Sequence, residues 1–284
     1  MGQLAKTQGG AIARADSTNY VKSMILKPVA GVVKALVPDE SRHGLIMAQF
    51  MRAVLLNPKL LDCSAQSLHV AMVDLAESGL ELKGGQSWLI PRYNSKTQCQ
   101  EANFQLGWRG WKRAMYATGI VRAVRMGTVH ANDTNLVVKE HLGIFDFDRC
   151  MTGDRGKEIG YFATVETTDG ALFVRYMTVD DVLDHKRKYV KFDGPGWKSS
   201  FDKMSQKTCL VQLARELPEH EVVERMFALE HLTNDRKSVD LRLDSKFVGE
   251  FDDGGEFHGP EVGSPAYDAE VVDDRSPGSM PDPE

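Results

Sequence analysis

The sequence predicts an α+β fold: a small, mostly antiparallel β-sheet packed with several helices, including a long helix near residues 197–217, between disordered termini. Three observations carry this. Apolar residues recur at helical spacing before residue 80 and again after residue 178. From 86 to 177, short alternating runs separated by turn residues read as strands. Strands clustered mid-chain between helices define the class. With 284 residues and 42% hydrophobic composition, the chain can bury one sizeable core.

Each element has a local reason. The first twenty residues, rich in Gln, Gly, Ala, Ser and Thr, show no periodicity and read as a flexible arm. Val21 to Leu36 has helical apolar spacing, weakened by Pro28 and Gly31. Ser41 is a candidate cap for a helix running to Leu56, stopped by Asn57-Pro58. Ser64 caps a second, with Leu68, Ala71, Met72, Leu75 and Ala76 on one face and Gly79 at its left-handed end. Gln86 to Pro91 and Ala102 to Gly107 read as strands around a turn at Asn94 to Gln98. Trp108 to Thr118 follows as a helix closed by Gly119, then Val121 to Val129 as a strand. Tyr161 to Thr167 and Leu172 to Met177 form a hairpin around Thr168-Asp-Gly170. Thr178-Val-Asp-Asp181 caps a helix to about Tyr189. The long helix from about Trp197 to Leu217 ends at Pro218. Past Asp240 the Gly, Pro, Asp and Glu content predicts disorder. The predicted organisation is an arm with an oligomerisation helix over 1–35, a core over 36–239, and an acidic tail over 240–284.

Composition excludes several function classes. No stretch approaches the roughly 18 apolar residues of a membrane span, and no basic flank leads into an apolar run at the N-terminus, so a soluble protein of the cytoplasm is expected. Cys63, Cys99, Cys150 and Cys209 lie tens of residues apart without a C-x-x-C pair, which reads as free thiols. Gly153-Asp-Arg-Gly156-Lys157 is two residues short of a P-loop, and Glu158 stands where a Ser or Thr must reach magnesium. His220-Glu-Val-Val-Glu224 lacks the second histidine of a zinc-protease helix. Neither a G-x-S-x-G elbow nor a G-x-G-x-x-G turn is present. No catalytic constellation is found, and the expectation is a protein that is not an enzyme.

The charge is informative once split. Residues 240–284 hold thirteen acidic side chains against Arg242, Lys246 and Arg275, a net of −10; the remaining residues carry a net of +5. A basic body implies an anionic partner. Between Ala102 and Asn132 there is no acidic residue, but Arg109, Lys112, Arg113, Arg122 and Arg125. A second group holds Lys186, Arg187, Lys188, Lys191, Lys198, Lys203, Lys207 and Arg215, opposed by Asp184, Asp193 and Asp202. Phe104, Trp108, Trp111, Tyr116, Tyr189, Phe192, Trp197 and Phe201 are interleaved with them. Cations track phosphates and ring faces stack on unpaired bases of any sequence. Helical spacing puts Arg109, Lys112 and Arg113 on one face, and Lys203 with Lys207 on another. Whether Trp108, Trp111 and Trp197 stack on bases or pack the core stays open.

Three stretches carry a resemblance. Ala76-Glu-Ser-Gly79-Leu80-Glu-Leu82 followed by Ser87-Trp-Leu-Ile-Pro91-Arg-Tyr93-Asn94 is the first, and Phe104-Gln-Leu-Gly107-Trp108-Arg109-Gly110 leading to Ala114-Met-Tyr-Ala-Thr-Gly119-Ile120 the second. The third is Trp197-x-x-x-Phe201-x-x-Met204-x-x-Lys207-Thr208 with Leu213-Ala-Arg-Glu-Leu-Pro218. In order and spacing these resemble the RecT family of phage-type single-strand annealing proteins over about residues 70 to 220. The resemblance implies an ATP-independent protein that coats single-stranded DNA and pairs it with a complementary strand. It implies no required cofactor, with Mg2+ as a modulator. It also implies homo-oligomers (rings or helical filaments), a bacterial cell with a phage or prophage gene, and an exonuclease or host single-strand binding protein as partner of the tail. Carried onto this chain, the DNA-binding candidates are Arg109, Lys112, Arg113, Arg122, Arg125, Lys186, Lys188, Lys198, Lys203, Lys207, Thr208, Arg215, Trp108 and Tyr93. Gly107 and Gly110 would let backbone approach the strand closely. Trp111 departs from the family pattern, which has a smaller apolar residue there. The alternatives are a passive coating protein that does not pair strands, and a nuclease or other enzyme with an unrecognised site.

Overall fold

The computed structural model describes residues 21–190, 194–235, 250–251 and 257–258. Lys191, Phe192, the first twenty residues and most of the acidic tail lie outside the described residues. The chain divides into a unit Met1–Leu241 and a unit Arg242–Glu284. In the second, Glu250–Phe251 pairs antiparallel with Phe257–His258.

A π-helical turn, Val21–Leu26, leads into α1 (Lys27–Leu36), whose Pro28 sits where a missing N–H costs nothing. Val21, Ile25, Val29, Val33 and Val37 fall on one stripe and are all buried. The helical spacing read over Val21 to Leu36 is realised as this π-helical turn and helix, packed into the core. The next helix, α2 (Glu40–Leu56), is capped by Asp39 rather than Ser41: the Asp39 carboxylate accepts from the Ser41 amide at 3.0 Å and the Ser41 hydroxyl at 2.6 Å. A carboxylate at a helix N-terminus satisfies an orphan N–H and faces the positive end of the dipole, so it displaces the hydroxyl. The third, α3 (Ala65–Ser78), starts on the Ser64 cap and stops at Gly79, φ +65°, with the expected face buried.

The strands β1 (Ser87–Asn94) and β2 (Cys99–Leu106) form an antiparallel hairpin in which Leu89 opposes Phe104. Its inner residues Leu89, Ala102, Phe104 and Leu106 join the core, while Trp88, Ile90 and Arg92 take the alternate positions. Behind it comes α4 (Trp108–Ala117). A three-stranded antiparallel sheet is built from β3 (Val121–His130), β6 (Glu158–Thr167) and β7 (Leu172–Thr178) in the order β3-β6-β7, which leaves β3 at an edge. Between β3 and β6 lies a hairpin that the sequence reading missed, β4 (Thr134–Lys139) and β5 (Ile144–Asp148). It covers one face of the sheet through Phe145, 4.5 Å from the Phe162 ring.

After β7, α5 (Val179–Tyr189) begins with the expected capping box, Thr178 and Asp181 bonded reciprocally. The single long helix expected over 197–217 is two segments, α6 (Pro195–Ser199) and α7 (Phe201–Ala214), with Ser200 out of helical conformation at φ −148°, ψ 54°. The apolar spacing hides the break because Trp197 and Phe201, four residues apart, flank it and still meet with ring centroids 5.8 Å apart. The α7 helix packs on the sheet face that carries Tyr161, Ala163 and Val165, all buried. A final helix not foreseen from the sequence, α8 (Glu221–Asp235), packs on α4 and β2. Its start is marked by His220, whose Nδ1 accepts from the Val222 amide at 3.2 Å. The α+β architecture of small antiparallel sheets packed against helices is the one the sequence predicts. Among the described residues, no helix is long and apolar enough to cross a membrane.

Candidate nucleic-acid interface

One cationic group lies on α4. Helical spacing turns Arg109, Lys112 and Arg113 away from the buried Trp111, Ala114 and Met115. The Arg109 guanidinium carbon lies 5.0 Å from the Trp108 ring centroid, and its Nη1 donates to the Gly84 carbonyl at 2.8 Å. Lys112 Nζ lies 5.6 Å from the same centroid, and burial lowers the Lys112 pKa. Arg113 reaches Gln86 at 3.2 Å and Glu81 at 3.4 Å. A hydrogen bond from Lys83 is the main reason that Glu81 is held below the usual carboxylate range, with Arg113 adding to it. Cation–ring contacts of this kind contribute about 0.5–1 kcal/mol at exposed sites. Trp108 thus orients two charges that would otherwise be mobile.

Gly107 and Gly110 have a different role from the one inferred. A Cβ on Gly107 would lie 2.0 Å from the Gly85 carbonyl oxygen, and one on Gly110 would lie 2.3 Å from that of Gln86. The close approach they permit is to the protein's own 84–86 loop, not to a nucleic-acid strand. That loop is what supplies the carbonyl for Arg109.

Downstream of α4, the Tyr116 hydroxyl accepts from the Val124 amide at 3.0 Å, tying the end of the helix to β3. From β3, Arg122 and Arg125 both reach Glu166, at 3.0 and 3.4 Å, with side chains 69% and 62% exposed. One carboxylate shared between two largely solvated guanidiniums leaves net positive charge on this face. Exposed pairs of this kind are weak and exchange readily for another anion.

A second group gathers around α5 to α7. Lys186 Nζ lies 5.6 Å from the Trp197 ring, joining α5 to α6. Lys188 and Lys198 are exposed, and Arg187 pairs with Asp184. Lys203 sits 3.3 Å from Asp202 and lines a 420 Å³ cleft with Arg149, Arg155, Phe147, Phe162 and Gln206. Arg215 lies over the Phe227 ring at 5.5 Å, and burial beside this arginine lowers the pKa of His185. Tyr93 is exposed at the far end of β1.

Two candidates are corrected. Lys207 is only 10% exposed along its side chain, and its Nζ is 2.8 Å from Glu230 Oε1. Thr208 is buried, its hydroxyl donating to the Met204 carbonyl at 3.0 Å. Both are core residues of α7, because the charge that matches Lys207 comes from α8, the helix the sequence reading missed. Trp111 is fully buried against Phe227 at 4.9 Å, and Trp197 is buried beside Phe201, so both are packing residues. Conversely, the structure adds Trp88, with 54% of its surface exposed, and Arg149 with Arg155. The strand alternation of β1 was the signal for Trp88. Arg149 lies just before the segment that failed as a P-loop, and Arg155 lies within it.

Among the described residues no group of three or more His, Cys, Asp or Glu is arranged to hold a metal ion. All four cysteines are free; burial raises Cys63 to about 11 and Cys209 to about 12, which leaves both as inert thiols.

The structure is thus an α+β core with cations held on a ring and a carbonyl along one helix. The RecT family model matches residues 45–238, more than half of the chain, and the chain belongs to that family. It is also similar to the uncharacterized protein YqaK of Bacillus subtilis (strain 168), 31% identical over 128 residues. That match covers 44% of this chain and 41% of the length of the relative.

Proposed function

We propose that this protein anneals complementary single strands of DNA in recombination, without ATP and without a covalent step. The observation that carries the reading is the α4 group: Arg109 and Lys112 share the Trp108 ring, and Arg109 is fixed to the Gly84 carbonyl beside an exposed Trp88. Preorganised cations beside an open ring face suit a flexible polyanion with unpaired bases. RecT family membership supports the annealing role. Phosphate contacts supply most of the affinity, so sequence preference is slight. Binding takes place within a homo-oligomer, ring or filament. Mg2+ acts as a modulator by shielding the phosphates of the two strands as they meet. The acidic tail presents a docking segment to a protein partner, an exonuclease or a single-strand binding protein.

The test mixes the protein with complementary fluorescent oligonucleotides in the absence of ATP. Faster pairing than in buffer is the expected result. If each subunit neutralises about four phosphates, log affinity for a single strand falls with log salt at a slope of about −3 per subunit. Binding without accelerated pairing would make this a coating protein, and strand cleavage in magnesium would make it a nuclease.

A further inference from the structure

The α4 cations account for phosphates; the bases need a surface of their own. The tryptophans named from the sequence do not supply it. Trp111 and Trp197 are buried, and Trp108 is partly buried with Arg109 and Lys112 already drawn against it. Trp88 differs from all three in leaving 54% of its surface open.

Its surroundings are built rather than incidental. On the outer face of the β1–β2 hairpin, Trp88 opposes Gln105, Ile90 opposes Asn103, and Arg92 opposes Glu101. Arg92 Nη2 lies 3.4 Å from Gln105 Oε1, which draws that amide along the face. Glu101 is engaged at the turn by Asn94 at 2.9 Å and Thr97 at 2.8 Å. The same hairpin buries Leu89, Phe104 and Leu106 on its other side, so the outer face is held by the core. Gly85 joins this face to the phosphate group: a Cβ there would lie 3.6 Å from Arg109 Cδ and 3.9 Å from Trp88 Cζ2. The indole and the Arg109 side-chain stem therefore flank a single loop residue.

We propose that the outer face of the β1–β2 hairpin is the base-binding platform, with an unpaired base stacked on Trp88 while its backbone phosphates lie on Arg109 and Lys112. The proposal rests on the annealing reading above and adds to it the part of the strand that is held. Stacking uses the face of a base and leaves its pairing edge outward, which is what a second strand must reach. Duplex bases have no free face to offer, so the platform selects single strands. In this arrangement Trp108 is a positioning residue for the two cations, and Trp88 is the residue that touches nucleic acid. The adjacent Asn103 and Gln105 offer amides that can donate or accept, consistent with little sequence preference.

The experiment compares an intact oligonucleotide with one of equal length carrying abasic sites, which keeps every phosphate and removes the bases. Affinity and its salt dependence are measured by fluorescence anisotropy for the full-length wild type, Trp88→Ala, Trp88→Phe and Arg109→Ala. The wild type should prefer the intact strand by roughly ten-fold or more. Trp88→Ala should bind both strands alike with an unchanged salt slope, and Trp88→Phe should keep most of the preference. Arg109→Ala should keep the preference and lose about 0.7 from the slope. If Trp88→Ala prefers the intact strand as strongly as wild type, or loses only self-association, the platform is overturned and the annealing reading stands. If the wild type binds neither strand, the annealing reading falls and the platform with it.

Discussion

Lys207 Nζ and Glu230 Oε1 lie 2.8 Å apart in the joint between α7 and α8, and the other oxygen of Glu230 takes the Trp111 indole N–H at 3.3 Å. Three elements are thus tied by one carboxylate. Removing one partner of this part-buried pair breaks a charged hydrogen bond, which costs about 1.5–3 kcal/mol. Lys207→Ala and Glu230→Ala should each lower the unfolding midpoint markedly, while the double variant should cost less than the sum of the two. Chemical denaturation of the three variants measures this. A Lys207→Ala protein with wild-type stability and weaker DNA affinity would return the lysine to the phosphate-contacting set.

Gly107 and Gly110 make a second prediction. The carbonyl oxygens of Gly85 and Gln86 occupy the space their Cβ atoms would need, so neither site can accept alanine without moving the 84–86 loop. Gly107→Ala should destabilise the fold by several kcal/mol, on the order of a severe overpacking change. Arg109→Ala, two residues from Gly107 and exposed, should cost only about 1 kcal/mol, the worth of an exposed cation–ring contact. Parallel thermal melts of the two variants test the contrast. Equal melting points would mean that the loop gives way easily and that the glycines are not needed for packing.

Much of the framework was legible because its signals are local. The Ser64 cap, the Gly79 stop, the Thr178–Asp181 box and the β1–β2 turn each sit within four residues of the element they delimit. What was missed depends on distant partners. Lys207 reads as a surface cation until Glu230, twenty-three residues later, is seen to neutralise it. The glycine pair reads as a DNA approach until the 84–86 loop fills the space. The β4–β5 hairpin has short strands, Thr134–Lys139 and Ile144–Asp148, whose stability comes from Phe145 lying on Phe162 of another strand. Of the interface, the α4 cations were visible as a run free of acids, but which ring stays exposed is decided by tertiary packing.

Asp133 yields a prediction about acid stability. Its side chain is fully buried, and it accepts from the His130 and Cys150 amides at 2.8 and 2.9 Å and from Arg155 at 2.5 and 3.2 Å. Burial pushes its pKa up, but the Arg155 and backbone hydrogen bonds outweigh it and hold the carboxyl at about 2. A pKa below that of the unfolded chain, about 3.9, means stabilisation that is full above pH 4 and lost as pH falls toward 2. Asp133→Asn should therefore be less stable than wild type by ~2 kcal/mol at pH 7, with the gap closing between pH 4 and pH 2. Urea unfolding across that range checks it. A gap that does not change with pH would show that the loss comes from geometry and not from the charge.

Asp74 on α3 makes the opposite prediction. It sits beside the buried Leu75 and Ala71 on a helix packed against α1 and β2. Burial, with Glu77 adding repulsion, raises its pKa to about 7. In the unfolded chain the same group loses its proton near pH 3.9. Between those values the folded state holds a proton that the unfolded state has released, so stability falls as pH rises through that window and stays low above it. Asparagine has the shape of the protonated acid and no charge to desolvate. Asp74→Asn should match wild type near pH 4 and exceed it at pH 8 by ~1–2 kcal/mol, a rise of a few degrees in melting temperature for a domain of this size. The readout is a pair of thermal melts for each protein at pH 4.5 and pH 8. If the variant gains equally at both values, the benefit does not come from titration. If it loses stability at pH 8, the carboxylate is ionised there and held by a favourable contact that outweighs its burial.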